Sequence, residues 1–238
     1  MVKTWRLGCF RRPRGGQRYR VKSWPYLPPR LAAALTEWGA GHFRNYPWRR
    51  TRDPFAVLVA EMLLRRTSGP HVLQVYPRFV RRWGTPDKLA AAGLRELKQV
   101  LRPLGITSWR AGSLREMARF LLQHYGGQVP ADPTLLERIP HVGPYTARAV
   151  GCFAFGLPLS IVDVNVIRVL DRFTGRKTPG GSPHRHPSVW KRSLRSLPEG
   201  EVVRYNWALL DLAAQVCWLR PKCGVCPLVS GCVTAGEK

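Results

Sequence analysis

Acidic residues are scarce in this chain. Six Asp and eight Glu stand against 39 Lys and Arg in 238 residues, for a net charge of +25 and a pI near 11.2. Surfaces that only need to stay soluble mix the two signs, so this imbalance points to a polyanionic partner more strongly than to a merely solvated exterior. Lysine is scarce as well, since 31 of the 39 cations are Arg. The planar guanidinium pairs phosphate at two points, which favours nucleic acid over a membrane surface. No apolar run approaches the length of a membrane-spanning helix, and the basic start is not followed by the apolar stretch of a secretory leader. A cytoplasmic, nucleoid-associated protein with no membrane partner is expected, although an Arg-rich organelle transit peptide would look similar. There is also no alternating strand pattern and no fixed-period repeat.

The remaining composition, 45% hydrophobic in 27.0 kDa, suffices for one large core or two small ones. Residues 1–29 are read as a basic, disordered N-terminal arm, because residues 1–30 hold nine cations and no acid, and Gly15-Gly16 and Pro28-Pro29 break any period. Beyond it the apolar spacing is helical throughout, which makes the fold all-α. Asp53-Pro54, Thr85-Pro86 and Asp132-Pro133 pair a capping residue with Pro at the first helical position. Gly84, Gly105, Gly126-Gly127 and Gly156 supply stops. Helices are expected near 30–43, 54–67, 70–82, 86–92, 94–103, 108–125, 133–139, 144–155, 163–173, 188–196 and 201–216. Residues 178–187 read as a loop.

Cysteine is also sparse, and four of the six fall together as Cys217, Cys223, Cys226 and Cys232 in a C-x5-C-x2-C-x5-C pattern. Thiolates so spaced can wrap a [4Fe–4S] cluster or a tetrahedral zinc. A single central C-x2-C flanked by one cysteine on each side favours iron–sulfur over the paired knuckles of zinc ribbons. Arg220 and Lys222, between the first two thiols, would present cations to phosphate at the rim of that loop.

Ile139-Pro-His-Val-Gly-Pro-Tyr-Thr146 joins a short helix to a longer one, with Gly143 free to take positive φ and Pro144 opening the second helix. Amides at such a helix N-terminus, over His141, Val142, Gly143, Tyr145 and Thr146, form a preformed phosphate site that reads no sequence. The same turn is also an ordinary helix connection. The acid beyond it is less ordinary: Asp163 stands alone in an apolar run and suits a helix N-cap, a chemical role, or both.

Together this hairpin, Asp163, Pro47-Trp-Arg-Arg-Thr-Arg-Asp-Pro54, Glu61-Met-Leu-Leu-Arg-Arg-Thr67, Tyr205-Asn206 with Asp211, and the cysteine tail resemble the helix–hairpin–helix DNA glycosylases of the endonuclease III and adenine glycosylase superfamily. The resemblance covers about residues 30–235. It departs at His141, where the family usually has Gly, and in the first cysteine gap, one residue shorter than usual. It implies a two-lobed fold: a six-helix barrel over 54–163 carrying the hairpin 139–146, and a second lobe from 30–53 and 164–238 carrying the iron–sulfur loop 217–232. It implies a monomer that binds double-stranded DNA containing a mispaired or damaged base and flips that base out. Asp163 is then the carboxylate that stabilises the oxocarbenium-like sugar and orients water. Glu61 faces the base, Arg66 fills the gap left by it, and Arg65 contacts DNA beside it.

The branch that also nicks the strand uses a hairpin Lys, and here the matching position is Tyr145, so base release without Schiff-base lyase chemistry is expected. Two substrates remain open. Adenine opposite guanine or 8-oxoguanine is disfavoured by Arg65-Arg66-Thr67, by Asp163-Val164-Asn165, and by the absence of a further domain after Cys232. Thymine or uracil opposite guanine is favoured by Leu64-Arg-Arg-Thr and Leu104-Gly-Ile-Thr-Ser-Trp-Arg110, which look like the archaeal-type G·T mismatch glycosylases. A non-catalytic protein that recognises distorted duplexes is the third reading, and Asp163, which would repel phosphate, argues against it.

Overall fold

The structure, a computed structural model, describes residues 27–178 and 187–236. Twelve α-helices run through these residues: α1 (Pro29–His42), α2 (Pro54–Leu64), α3 (Gly69–Trp83), α4 (Pro86–Ala90), α5 (Leu94–Leu101), α6 (Thr107–Tyr125), α7 (Pro133–Leu136), α8 (Pro144–Phe153), α9 (Val164–Thr174), α10 (Pro187–Leu194), α11 (Val202–Gln215) and α12 (Val233–Gly236). Among the described residues there is no strand, so the chain is all-α as its spacing implies. The capping residues act as expected. Asp53 accepts the amide of Phe55, Asp132 that of Thr134, and Asp163 those of Asn165 and Val166, so each helix start satisfies donors that the helix itself cannot.

Two apolar cores organise the molecule. The first gathers Leu58 and Met62 of α2, Phe79 of α3, Leu114 of α6 and Val150 of α8. The second gathers Leu35 of α1, Leu170 of α9, and Tyr205 and Leu209 of α11. Tyr46 and Trp48, which the sequence placed with the second lobe, pack into the first core, and Val162 packs into the second. Leu27 is likewise buried in the second core, and its amide donates to Ser196 Oγ at 2.9 Å. The fold therefore begins inside the stretch read as an arm. Residues 1–26, and residues 179–186 of the stretch read from sequence as a loop, lie outside the described residues.

Helix α2 is buried on every side from Phe55 to Leu63, including Glu61 at 6% exposure. It stops at Leu64, three residues earlier than the apolar spacing predicts. The cause is Arg110, a residue of α6 that is 1% exposed. Its guanidinium donates to the carbonyls of Met62 (3.2 Å), Leu63 (2.9 Å), Arg65 (3.0 Å) and Leu104 (3.3 Å). A buried helix end has no water to satisfy its last carbonyls. One cation does so here, at the negative end of the helix dipole. With those carbonyls engaged the chain turns, and Arg66 adopts left-handed φ of 54°.

Replacing Arg110 by Leu should leave these carbonyls buried and unpaired and cost about 3 kcal/mol or more of unfolding free energy. Arg110→Lys should recover only part of that, since a point ammonium cannot reach several carbonyls at once. Denaturant unfolding of the three proteins checks both outcomes.

Candidate active site

Helix α2, the hairpin and the start of α9 enclose, with the segment 44–49 and α11, a cavity of about 640 Å³. Glu61, Tyr145, Asp163 and Arg66, all singled out from the sequence, line it together. Asn206 of α11 holds the loop that delivers Asp163. Its Oδ1 accepts the Ile161 amide at 3.0 Å, and its Nδ2 donates to the carbonyls of Leu159 and Val202, each at 2.9 Å. Asp163 Oδ1 accepts from the amides of Asn165 (2.9 Å) and Val166 (2.7 Å), and Oδ2 accepts from Asn165 Nδ2 at 2.7 Å. These bonds fix the carboxylate without using every lone pair, so a helix cap and a chemical role coexist in one residue.

The acids feel one another. Burial pushes the Glu61 carboxyl up to about 7, the nearby Arg49 charge opposing and the Asp163 charge adding to the rise. Tyr145 is held well above its ordinary value by burial and then by Glu61 and Asp163. Two guanidiniums stand close, yet both are committed elsewhere. The fully buried Asp211 accepts from the Arg44 amide (2.9 Å) and Arg44 Nε (2.5 Å), and from Arg49 Nη1 (2.7 Å) and Nη2 (2.9 Å).

At the hairpin the strained residue is the one at the position where the resembled family usually has Gly, not Gly143. Gly143 has φ of −97°, ordinary extended backbone, and the left-handed turn falls on His141 at 66°. His141 is held there by its neighbours: its carbonyl accepts Arg65 Nη1 at 2.7 Å, its ring meets Glu116 Oε2 at 2.8 Å, and Trp109 lies edge-on. Val142 does not fit the phosphate role predicted for it. Its side chain is buried and its amide donates to Ile139 within the turn, at 3.0 Å. The Thr146 side chain is buried too, while Gly143 is exposed at the uncapped start of α8. Arg65 faces the hairpin and lies 4.7 Å over the Trp109 ring, which leaves Arg66 as the exposed member of the pair at the cavity.

The four tail cysteines line one small cavity, and no described cysteine is in a disulfide. Burial raises the Cys226 thiol, and Cys217, Cys232 and Cys223 raise it further, as expected where four sulfurs share one space. Among the described residues no group of three His, Cys, Asp or Glu side chains gathers as it would around a single metal ion. Arg172 Nη1 approaches Cys217 Sγ at 3.5 Å, and Arg168 Nε donates to the Cys217 carbonyl at 3.0 Å. Arg220 and Lys222 are exposed on the same loop. Sequence reasoning gave no role to Asn206, Asn165 or Arg110. For Asn206 the available signal was its place beside Tyr205 in one of the segments that carry the resemblance.

Comparison with known proteins agrees with this geometry. A thymine-DNA glycosylase of Aeropyrum pernix is 39% identical over 207 residues, 85% of this chain and 93% of that protein. An adenine DNA glycosylase of Mycobacterium tuberculosis is 37% identical over 82% of this chain and 64% of its own length. The solved structure of a thermostable thymine-DNA glycosylase superposes with a TM-score of 0.81 at 31% identity, over 87% of this chain and 96% of that one. Residues 59–186 match the family model, and the chain belongs to the HhH-GPD superfamily of base excision DNA repair proteins.

Proposed function

We propose that this protein is a monofunctional DNA glycosylase that hydrolyses the N-glycosidic bond of thymine or uracil mispaired with guanine, leaving an abasic site. The observation that carries the reading is the convergence of Asp163, Glu61 and Tyr145 in one cavity, with Arg66 exposed at it. A base inside a duplex cannot reach such a cavity. It must be extruded, at a cost smallest for a mispair. Bond breaking then develops positive charge on the sugar, and Asp163, fixed by two amides and one side-chain amide, stabilises that charge and orients the attacking water. Glu61, poised to hold or share a proton near neutrality, hydrogen-bonds the pyrimidine edge as the base departs. Tyr145 cannot form an imine with the sugar, so strand nicking is not part of the reaction. Arg66 fills the space vacated by the base and pairs with the orphan guanine.

Gly143 and the uncapped amides of Tyr145 and Thr146 grip a backbone phosphate, and the exposed Arg220 and Lys222 of the cysteine loop offer further phosphate contacts. Cys217, Cys223, Cys226 and Cys232 suit a [4Fe–4S] cluster, because all four line one cavity together with Arg172, whose Nη1 lies 3.5 Å from Cys217 Sγ. Such a cluster supplies structure to the loop and no step of the hydrolysis. Adenine release is the competing reading. It has one observation in its favour: a Glu61 protonated near neutrality would donate equally well to a purine nitrogen.

Labelled duplexes carrying G·T, G·U, A·G and A opposite 8-oxoguanine should separate the two. Hot alkali should reveal breaks in G·T and G·U only, with none before alkali. Adenine release would overturn the substrate, and breakage without alkali would overturn the monofunctional assignment. Asp163→Asn keeps a good N-cap and should retain mismatch binding while losing at least 10²-fold in base release, an order set by removal of one group that stabilises developing charge. A variant as active as the wild type would remove Asp163 from the chemistry.

Glu61 also sets a stability signature. Its folded-state value lies above its ordinary one, so folding is unpenalised in acid, and stability is lost as pH rises from about 4.5 through about 7. Against Glu61→Gln, which has no such titration, wild-type melting temperature should therefore fall across this window, by the equivalent of about 3 kcal/mol. Parallel pH–melting curves would show that the carboxyl is not held in its neutral form. In the tail, Cys223→Ser should lose the brown colour and visible absorbance of an iron–sulfur protein, and a colourless, zinc-bearing wild type would overturn the cluster.

A further inference from the structure

The loop that carries the cysteines also reaches the cavity. Trp218, immediately after Cys217, is 50% exposed yet lines the same space as Asp163, Asn165 and Arg66. Other apolar residues of the tail are exposed as well, such as Leu219 and Val225, but they do not line the cavity. A large open aromatic costs hydrophobic free energy unless something covers it, and this one is held rather than loose. The Arg168 guanidinium lies 4.8 Å from the centre of its ring, and Arg172 donates to its carbonyl.

Arg168 is itself immobilised by bonds to the carbonyls of Ala213 (2.9 Å) and Cys217 (3.0 Å) and to Asn165 Oδ1 (2.9 Å). One indole face is thus backed by a fixed cation, and the rest of the ring opens into the cavity. Arg168 also sets which end of the cavity that is. Asn165 Nδ2 donates in turn to Asp163 Oδ2 at 2.7 Å, so Trp218, Arg168, Asn165 and Asp163 form one continuous chain of contacts.

We infer that Trp218 is a substrate-binding residue whose open face packs against the deoxyribose of the extruded nucleotide. The inference rests on the glycosylase reading, which puts the sugar beside Asp163, and it adds a contact that the acids do not supply. A flat apolar ring over the sugar buries its C–H face and keeps water away from that face. It gives the abasic product the same contact as the substrate, because the sugar remains after the base has left.

The test uses the full-length protein with its tail intact. It measures single-turnover base release from a G·U duplex, and binding to a duplex with a stable tetrahydrofuran abasic analogue and to a matched duplex. Trp218→Ala should lose about tenfold in release rate and about tenfold in affinity for the abasic analogue, the scale of one aromatic stacking contact. Its affinity for matched DNA, visible absorbance and melting temperature should be unchanged. Trp218→Phe, which keeps a ring over Arg168, should retain most of both activities. Wild-type rate and abasic affinity in Trp218→Ala would overturn the inference. So would an equal loss on matched and abasic duplexes, or a loss of colour and melting temperature in both variants, each of which would mark a backbone contact or a structural prop. If the wild type releases no base at all, the glycosylase reading fails, while the difference between abasic and matched binding still decides the role of Trp218.

Discussion

A helix buried on all sides must satisfy its last carbonyls without water, and in this molecule one guanidinium does it. Arg110 engages the carbonyls at the end of α2 and the turn before α6. Glu61 sits one turn back from that end, and Arg65 and Arg66 leave from it in different directions, one to the hairpin and one to the cavity. The depth of the acid, the placement of the hairpin and the exposure of Arg66 thus share a single cause. A glycine cap would have ended the helix as well. It would not have linked α2 to α6, nor reached the carbonyls of Leu63 and Leu104 together.

The second constraint is electrostatic. A chain of net charge +25 has to keep two carboxyl groups in one cavity without letting its own cations quench them. Asp211 achieves this for the nearest two, because its carboxylate takes up the side chains of both Arg44 and Arg49. The Arg49 charge still lowers Glu61, but burial outweighs it and the carboxyl stays near 7. Were Arg49 released from Asp211, it could pair with Glu61 directly. That carboxyl would then be an ordinary anion, unable to share a proton with a base.

Much of this was legible in the sequence, for reasons that differ by element. Helix starts were readable because the capping carboxylates Asp53, Asp132 and Asp163 act on amides two or three residues away, so cause and effect are local. The end of α2 was not, because its cause lies about 45 residues downstream in Arg110. The left-handed turn of the hairpin fell on His141 rather than Gly143, since Arg65, Glu116 and Trp109 hold His141 from three distant places. The cavity acids Glu61, Tyr145 and Asp163 were identifiable one by one. What brings them together, Asn206 on the loop and Asp211 on the arginines, is tertiary, and in sequence it shows only as the Tyr205-Asn206 and Asp211 segment, with no sign of what those side chains hold.

Arginine count was the loudest feature of the sequence, and part of it has nothing to do with a polyanion. Arg52, Arg65, Arg110, Arg148, Arg168 and Arg172 each donate to at least one main-chain carbonyl of the protein itself. Burial draws the guanidiniums of Arg65, Arg110, Arg148 and Arg168 below their usual range. An ammonium in such places would tend to lose its proton, and with it one of its donors; a guanidinium keeps its charge and its five donors. The preference for Arg over Lys therefore answers two demands with one chemistry. Outside, the fork matches phosphate; inside, the same fork ties loops and helix ends where no acid is available to pair with them. In a chain so poor in carboxylates, main-chain carbonyls are the acceptors left, and the fold is built to use them.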